Sequence, residues 1–438
     1  MSALTRNLRS RSRLRNGLRR TTVVAAVAAV AAPLLSGCGA GPGDGANAPI
    51  KVMTWAPQDT GAISMAGMPA MAEAFGRWVN AGGGVDGHRL EVLTCDEHNT
   101  AAGATACAER AVDEGVVAVV GSYSRFGRAF IAPLESADIP YIGGFGVTED
   151  EFNSPLSYPV HGGLAALAAG SGRQLAAAGC TDVTLVRPDT LAGDRLPPLL
   201  DAGLSDGDGT AAPATDVRAP EDATSYGPQA EKALEGAAPA AATGAGKPCV
   251  SAVLGGRTDT FFDSFRRLGS ESSEVTWASV LGSIGQHLVD STGGRNSPLE
   301  GTYATGWYPA SDDPRWDRMH RVVREHAFGD NRIDTDDSGV RTTWIACTVL
   351  RAALERIDGA TPVSARSLKH ELDNGPAIST RGLTPDLRWH FEDLLAAAEF
   401  PRIVNTKVTF QRVRDGRLTQ VGDGFVDVRK QLVSGPDV

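Results

Sequence analysis

Apolar positions in the first third of the chain alternate between short unbroken runs and longer stretches of helical period. Ile50-Lys51-Val52-Met53-Thr54-Trp55 is such a run, and it breaks at Pro57. Residues 67–80 read as a helix that ends in Ala81-Gly82-Gly83-Gly84-Val85-Asp86-Gly87, a turn. A second strand over 88–94 leads to Cys95-Asp96-Glu97, and a second helix spans 100–114. A third strand over 116–120 stops at Gly121-Ser122-Tyr123-Ser124. After a short helix, a fourth strand over 139–142 stops at Gly143-Gly144-Phe145-Gly146. Strands and helices alternating at this spacing predict a parallel, doubly wound α/β sheet. The strands are continuously apolar because helices would cover both faces. Ligands of such sheets bind beyond the carboxyl ends of the strands. Gln58, Asp96-Glu97-His98, Ser122-Tyr123-Ser124 and Gly143-Gly144-Phe145-Gly146 all fall at that edge.

The pattern recurs further on. A helix over 164–178 precedes a strand over 182–186, and Val217 marks an edge strand. Residues 200–215 read as loop, 225–235 as helix, and the Ala- and Gly-rich 236–248 as a low-complexity surface loop. Strands over 250–254 and 276–281 flank a helix over 261–268. Two long helices, 314–328 and 339–357, come next, and 407–418 reads as a hairpin turning at Asp415-Gly416.

The ordered set of strand, Ala-Pro, helix, Asn80-Ala81-Gly82-Gly83-Gly84-Val85-Asp86-Gly87, acid-ended strand, Val119-Val120-Gly121-Ser122 and Ile139-Pro140-Tyr141-Ile142 resembles one family. It is similar to the branched-chain amino-acid type of ABC-transporter solute-binding proteins, which have the type I periplasmic-binding-protein fold. The resemblance spans nearly all of the chain after residue 49, more weakly beyond Leu191. It implies two doubly wound parallel-sheet lobes joined by a three-crossover hinge, the first crossing lying near Tyr158-Pro159-Val160-His161-Gly162-Gly163. Leu299-Glu300-Gly301 resembles the start of the family's hinge strand. The expected division is 50–160 with 308–375 for the first lobe and 161–307 with 376–438 for the second. The implied partners are a small-molecule ligand and an ABC permease, with no cofactor, no metal and a monomeric chain.

Composition adds a cellular address. Seven arginines precede a short apolar segment, 23–35, that ends in Leu35-Ser36-Gly37-Cys38. This is a signal peptide over 1–37 in form, and it resembles the lipobox of bacterial lipoproteins, in which the cysteine is acylated. Residues 38–49, rich in Gly, Ala and Pro, read as a tether. The full chain has a formal charge of −10, and loss of the leader makes it seven charges more acidic. Such a balance argues against nucleic acid and against coating an anionic membrane by charge. Outside the cytoplasm disulfides persist. Cys95 and Cys107 lie on consecutive elements and can face each other; Cys180 and Cys249 can pair if the strands they precede are neighbours. Cys347 is then left as a buried thiol.

There is no G-x-S-x-G elbow, P-loop or H-E-x-x-H. Asp96-Glu97-His98 reads as a solvated loop more readily than as a metal or relay site, and Asp334 to Asp337 as an acidic surface loop capping the next helix. The expected ligand set is Gln58, Tyr123, Ser124, Gly144 and Phe145 from the first lobe and Tyr226, Arg257 and Gln286 from the second. The family's acid for an ammonium group is missing from Ser283-Ile284-Gly285-Gln286. Arg257 offers a fork of donors, so a ligand with a carboxylate or carbonyl and an apolar part is expected. The alternatives are a sensor lipoprotein that signals to a membrane receptor, and a hydrolase on the same scaffold.

Overall fold

The computed structural model describes residues 48–58, 64–205, 212–243, 246–269 and 275–433. The leader, most of the tether and Cys38 lie outside the described residues. The first sheet begins with β1 (Ile50–Ala56), α1 (Gly67–Ala81), β2 (Leu90–Asp96) and α2 (Ala101–Asp113). It continues with β3 (Ala118–Val120), α3 (Gly127–Ser136), β4 (Tyr141–Ile142), α4 (Asp150–Asn153) and β5 (Ser157–Tyr158). Its strand order is β2-β1-β3-β4-β5, parallel throughout. Alternate residues of β1 feed two separate cores. Ile50 and Val52 pack on one face and Met53 and Trp55 on the other, which explains the unbroken apolar run.

The chain then enters α5 (Gly163–Ala177), β6 (Asp182–Pro188), α6 (Leu196–Leu204), β7 (Thr215–Ala219) and α7 (Gly227–Thr243). β8 (Pro248–Ala252), α8 (Thr258–Arg266), β9 (Thr276–Val280), α9 (Gln286–Ser291) and β10 (Tyr303–Gly306) complete the parallel part. α10 (Asp317–His326), α11 (Ser338–Leu354) and α12 (Ala365–Asn374) follow; α10 and α11 pack on α1. The chain closes with β11 (Lys407–Arg414), β12 (Arg417–Gln420), β13 (Val426–Asp427) and α13 (Arg429–Val433). The second sheet runs β12-β11-β10-β9-β8-β6-β7. It is parallel from β7 to β10 and antiparallel at β11 and β12, with β13 pairing β11. The molecule is therefore a two-lobed α/β fold with one parallel and one mixed sheet.

Two loop expectations give way to helix. α7 runs on through the Ala-rich stretch expected as loop, because alanine has the highest helix propensity. α6 takes the first residues of the expected 200–215 loop, starting where Pro197 and Pro198 suit a first helical turn. Both disulfides form, with Cα separations of 5.8 Å for Cys95–Cys107 and 5.9 Å for Cys180–Cys249. Loops of these lengths give about 3 and 4 kcal/mol in the chain-entropy picture. Cys347 is free and buried, and burial pushes its thiol pKa up.

The chain passes between the sheets after β5, after β10 and before β11. Residues 389–405 are tied to β5 and the two residues after it before the last passage. Trp389 Nε1 donates to Pro159 O (3.2 Å), Arg402 Nε to Ser157 O (2.9 Å) and Asn405 Nδ2 to Val160 O (3.0 Å). At the crossings the His161 ring lies flat on Trp307, with centroids 3.9 Å apart and planes at 7°. His161 Nδ1 accepts from Gly163 N–H (3.0 Å), and Trp307 Nε1 donates to Gly163 O (2.9 Å). The imidazole is fully buried, and desolvation lowers its pKa from 6.5 to about 3.

A depressed histidine pKa means that the unfolded chain binds the proton first. Stability should be full above pH 6.5 and should fall as pH drops from there toward 3, by about 1.4 kcal/mol per pH unit from this group. His161→Gln should flatten that part of the urea-unfolding profile. An unchanged slope would show that another group governs it.

Candidate functional site

A cleft of about 280 Å³ lies between the carboxyl edge of the second sheet and the start of α11. The second lobe lines it with Gly255, Gly256, Asp259 and the 281–288 loop after β9. The first lobe contributes Asp334, Asp336, Asp337 and Ser338 at the start of α11. The acids at the start of α11, expected as a surface loop, thus lie in the cleft. The signal was present: a helix returning to the first lobe over β3 and β4 points its amino end at the strand edge. Its seat is tight, since a Cβ on Gly143 (φ +60°) would stand 2.4 Å from Ala346 Cβ. Asp337 caps α11, its Oδ1 accepting from Val340 N–H at 2.9 Å. Burial raises the pKa of both Asp336 and Asp337. Arg341, itself buried, donates to Asp336 Oδ1 (2.9 Å) and opposes that rise.

The first-lobe loops lie beside this cleft. Tyr123 N–H donates to Trp55 O (3.0 Å) and Phe145 N–H to Ser122 O (3.0 Å), which sets their two rings 5.3 Å apart. Phe145 also meets Trp307 edge-on at 5.3 Å. Opposite stands Gly282 with φ +91°, where a Cβ would lie 3.5 Å from Phe145 Cζ and 3.6 Å from Ser338 Oγ. Gln58 N–H donates to Asp96 Oδ1 (3.0 Å) at the end of β1.

Other expected ligand residues have their polar groups engaged within the fold. Ser124 Oγ donates to Glu97 Oε2 (2.7 Å) and accepts from Phe126 N–H (3.1 Å). Gly144 lies over Glu151, so close that a Cβ would stand 2.2 Å from Oε2. Tyr226 is buried in the α7–α8 core, its hydroxyl donating to Pro220 O (2.9 Å). Gln286 lines the cleft, yet its amide holds Asp290 (2.8 Å), Gly416 O (2.9 Å) and Leu418 N–H (3.0 Å). Arg257 is half-buried on the turn that enters α8. Glu97 is a correction to the solvated reading of Asp96-Glu97-His98. It is fully buried against Ser124, and desolvation raises its pKa.

Ion pairs join the lobes on both flanks. Arg125 Nη2 donates to both oxygens of Glu221 (2.8 and 2.6 Å). Arg195 pairs with Glu149 at 2.8 Å and also with Glu399.

Residues 55–398 match the model of the periplasmic binding protein family, and the chain belongs to that family. No curated protein sequence matches at a significant level. Among solved structures, the chain is similar to a branched-chain amino-acid ABC transporter protein from Thermus thermophilus with bound valine. The TM-score is 0.66 at 16% identity, covering 89% of this chain and 100% of that one. A fatty acid ABC transporter substrate-binding protein from Thermomonospora curvata gives 0.68 at 15%, covering 88% and 95%. A solute-binding protein from Rhodopseudomonas palustris HaA2 in complex with p-hydroxybenzoic acid gives 0.68 at 17%, covering 87% and 97%.

Gly282→Val should hold the lobes apart. Its backbone would be strained by about 1–3 kcal/mol, and its methyls would collide with Phe145. Small-angle scattering should give a larger radius of gyration than for the native protein. An unchanged radius would rule out Gly282–Phe145 as the closing contact.

Proposed function

We propose that the chain is an extracytoplasmic solute-binding lipoprotein that delivers a small polar or amphipathic ligand to an ABC importer, and that it releases the ligand chemically unchanged. The observation that carries this reading is the inter-lobe cleft between the carboxyl edge of the second sheet and the start of α11, on a periplasmic-binding-protein fold. The solved relatives with valine and with p-hydroxybenzoic acid lend it support. We assign the crossovers to about 159–162, 307–308 and 404–406. The hydrogen bonds that tie 389–405 to β5 support moving the last one from 375 to there.

For the ligand we assign Tyr123 and Phe145 as apolar walls, with Asp259, Asp336 and Asp337 as the charged side. Gln58, Arg257 and Gln286 stand at the margins, while Ser124, Gly144 and Tyr226 shape the walls from behind. The acids favour a ligand with an ammonium or other donor group over a simple carboxylate, reversing the expectation drawn from the Ser283–Gln286 loop. Burial raises the pKa of Asp336 and Asp337 by disfavouring their charged form, and a nearby cation favours it.

Native mass spectrometry of ligand carried through purification, then titration with amines, amino acids, polyols and carboxylic acids, tests this. A cationic or donor-rich ligand should bind best, and Asp336→Asn should weaken it about tenfold or more. Its affinity should fall on acidification, beginning at higher pH than an ordinary aspartate would impose. Equal binding of simple carboxylates with no effect of Asp336→Asn would sink the ligand assignment. Chemical conversion of the ligand would sink the non-enzymatic reading.

The anchor is tested separately. Cys38→Ala should release the protein from membranes or stall its processing. A mature variant that stays membrane-bound would exclude acylation at Cys38.

A further inference from the structure

The first lobe carries an arginine-rich face on a chain that is acidic as a whole. On α10, Met319 and Val322 are buried against α1, which leaves Arg321 and Arg324 exposed and Arg318 half-buried. Arg318 lies over one side of the Trp78 indole (4.8 Å), and Arg351 of α11 lies within 4.9 Å of the same ring. Two guanidiniums on one indole gain from its π-system but repel each other. Arg381 adds a further positive charge, and burial followed by Arg381 and Arg351 depresses Arg318. Among the described residues, Arg318, Arg321, Arg324 and Arg381 make no ion pair. Arg351 pairs with Glu355 (2.6 Å), and Asp317 and Glu325 are the acids on α10 itself. The face keeps an excess of positive charge that the fold does not neutralise.

Two further observations point to what it meets. Beside the arginines, Phe328 is 78% exposed, its ring beneath Arg77 at 5.3 Å. An exposed aromatic ring beneath a guanidinium suits a headgroup region, where rings and arginine stems rest on acyl chains while charges stay in the polar layer. The position on the lobe is the second. Asn80, two residues after Trp78, bonds both N–H and O of Leu90 at 2.8 Å, and Leu90 pairs with Ile50 in the sheet. Trp78, with Arg318 and Arg351 on its ring, thus lies near the amino edge of the first sheet, where β1 begins. The cleft is at the other edge.

We propose that this face binds the anionic phospholipid headgroups of the membrane to which the tether fastens the chain. The inference rests on the lipoprotein reading for its location, but its chemistry belongs to the folded lobe alone. The overall acidity, which argues against coating a membrane, does not decide the matter. Charges farther off than about 8 Å are screened at physiological salt, so the local patch governs contact. Held there, the lobe would present its cleft in a restricted range of orientations instead of swinging freely on a flexible tether.

The full mature chain carrying Cys38→Ser, so that no acyl group contributes, should be sedimented with phosphatidylglycerol–phosphatidylcholine vesicles and with phosphatidylcholine vesicles alone. Binding should require phosphatidylglycerol and weaken as salt is raised. The triple variant Arg318→Ala, Arg321→Ala, Arg324→Ala should bind on the order of a hundredfold more weakly. Phe328→Ala, at an exposed site that leaves folding intact, should weaken it about tenfold. A matched triple on the second lobe, Arg218→Ala, Arg266→Ala, Arg267→Ala, should bind as the native chain does. Absence of vesicle binding, equal binding to both vesicles, or indifference to the α10 and Phe328 substitutions would overturn the proposal. So would binding to polyglutamate but not to vesicles, which would point to an acidic protein instead. Because the assay uses unacylated chain, failure of lipidation at Cys38 would leave its outcome unaffected.

Discussion

The architecture depends on the stack of His161 on Trp307. These rings belong to the first two passages between the lobes, and Asn405 ties the third to the same place through Val160 O. Two α/β sheets could be joined by a single connection; here there are three, and each must be satisfied out of water. The backbone around Gly163 bonds to both ring systems, so the crossings behave as one buried unit. Its cost is an imidazole that burial makes hard to charge, which ties stability to pH.

From that unit the lobes approach along the carboxyl edges of their strands. The contacts that hold them together differ in kind. Phe145 against Gly282 and Trp307 is apolar and buried. Arg125–Glu221 and Arg195–Glu149 are partly exposed pairs of the sort worth about 0–1 kcal/mol each. Closure that relies on weak rim pairs and one aromatic contact can be reversed by ligand entry and release, as a carrier requires. The raised carboxyls of Asp336 and Asp337 act in the same direction. Burial makes their charged form costly, and Arg341 offsets only part of that cost, so a cationic ligand of the kind proposed would gain affinity by closure.

The chain also separates its charges in space. Acids gather at the cleft, whereas an arginine excess lies at the opposite edge of the first lobe. Net charge alone would miss this, because a formal count sums over distances that salt screens.

The doubly wound fold, both disulfides and the edge on which a cleft must form were legible in the sequence. Most follow from local causes, such as the unbroken apolar run of β1, the turns after each strand and two cysteines on consecutive elements; the Cys180–Cys249 bridge depended on β6 and β8 being neighbours, which tertiary structure decided. What the sequence could not determine was which groups remain free once the chain closes up. Ser124, Tyr226 and Gln286 look like ligand donors in the sequence, yet each finds a partner inside the fold, Gln286 through a hairpin about 130 residues away. Glu97 looks solvated and is buried. Asp334 to Asp337 read as surface until α11 packs over β3 and β4 and turns its amino end into the cleft. A hydrogen bond or a desolvated carboxylate is set by neighbours that are remote along the chain, so its availability is decided only by tertiary packing.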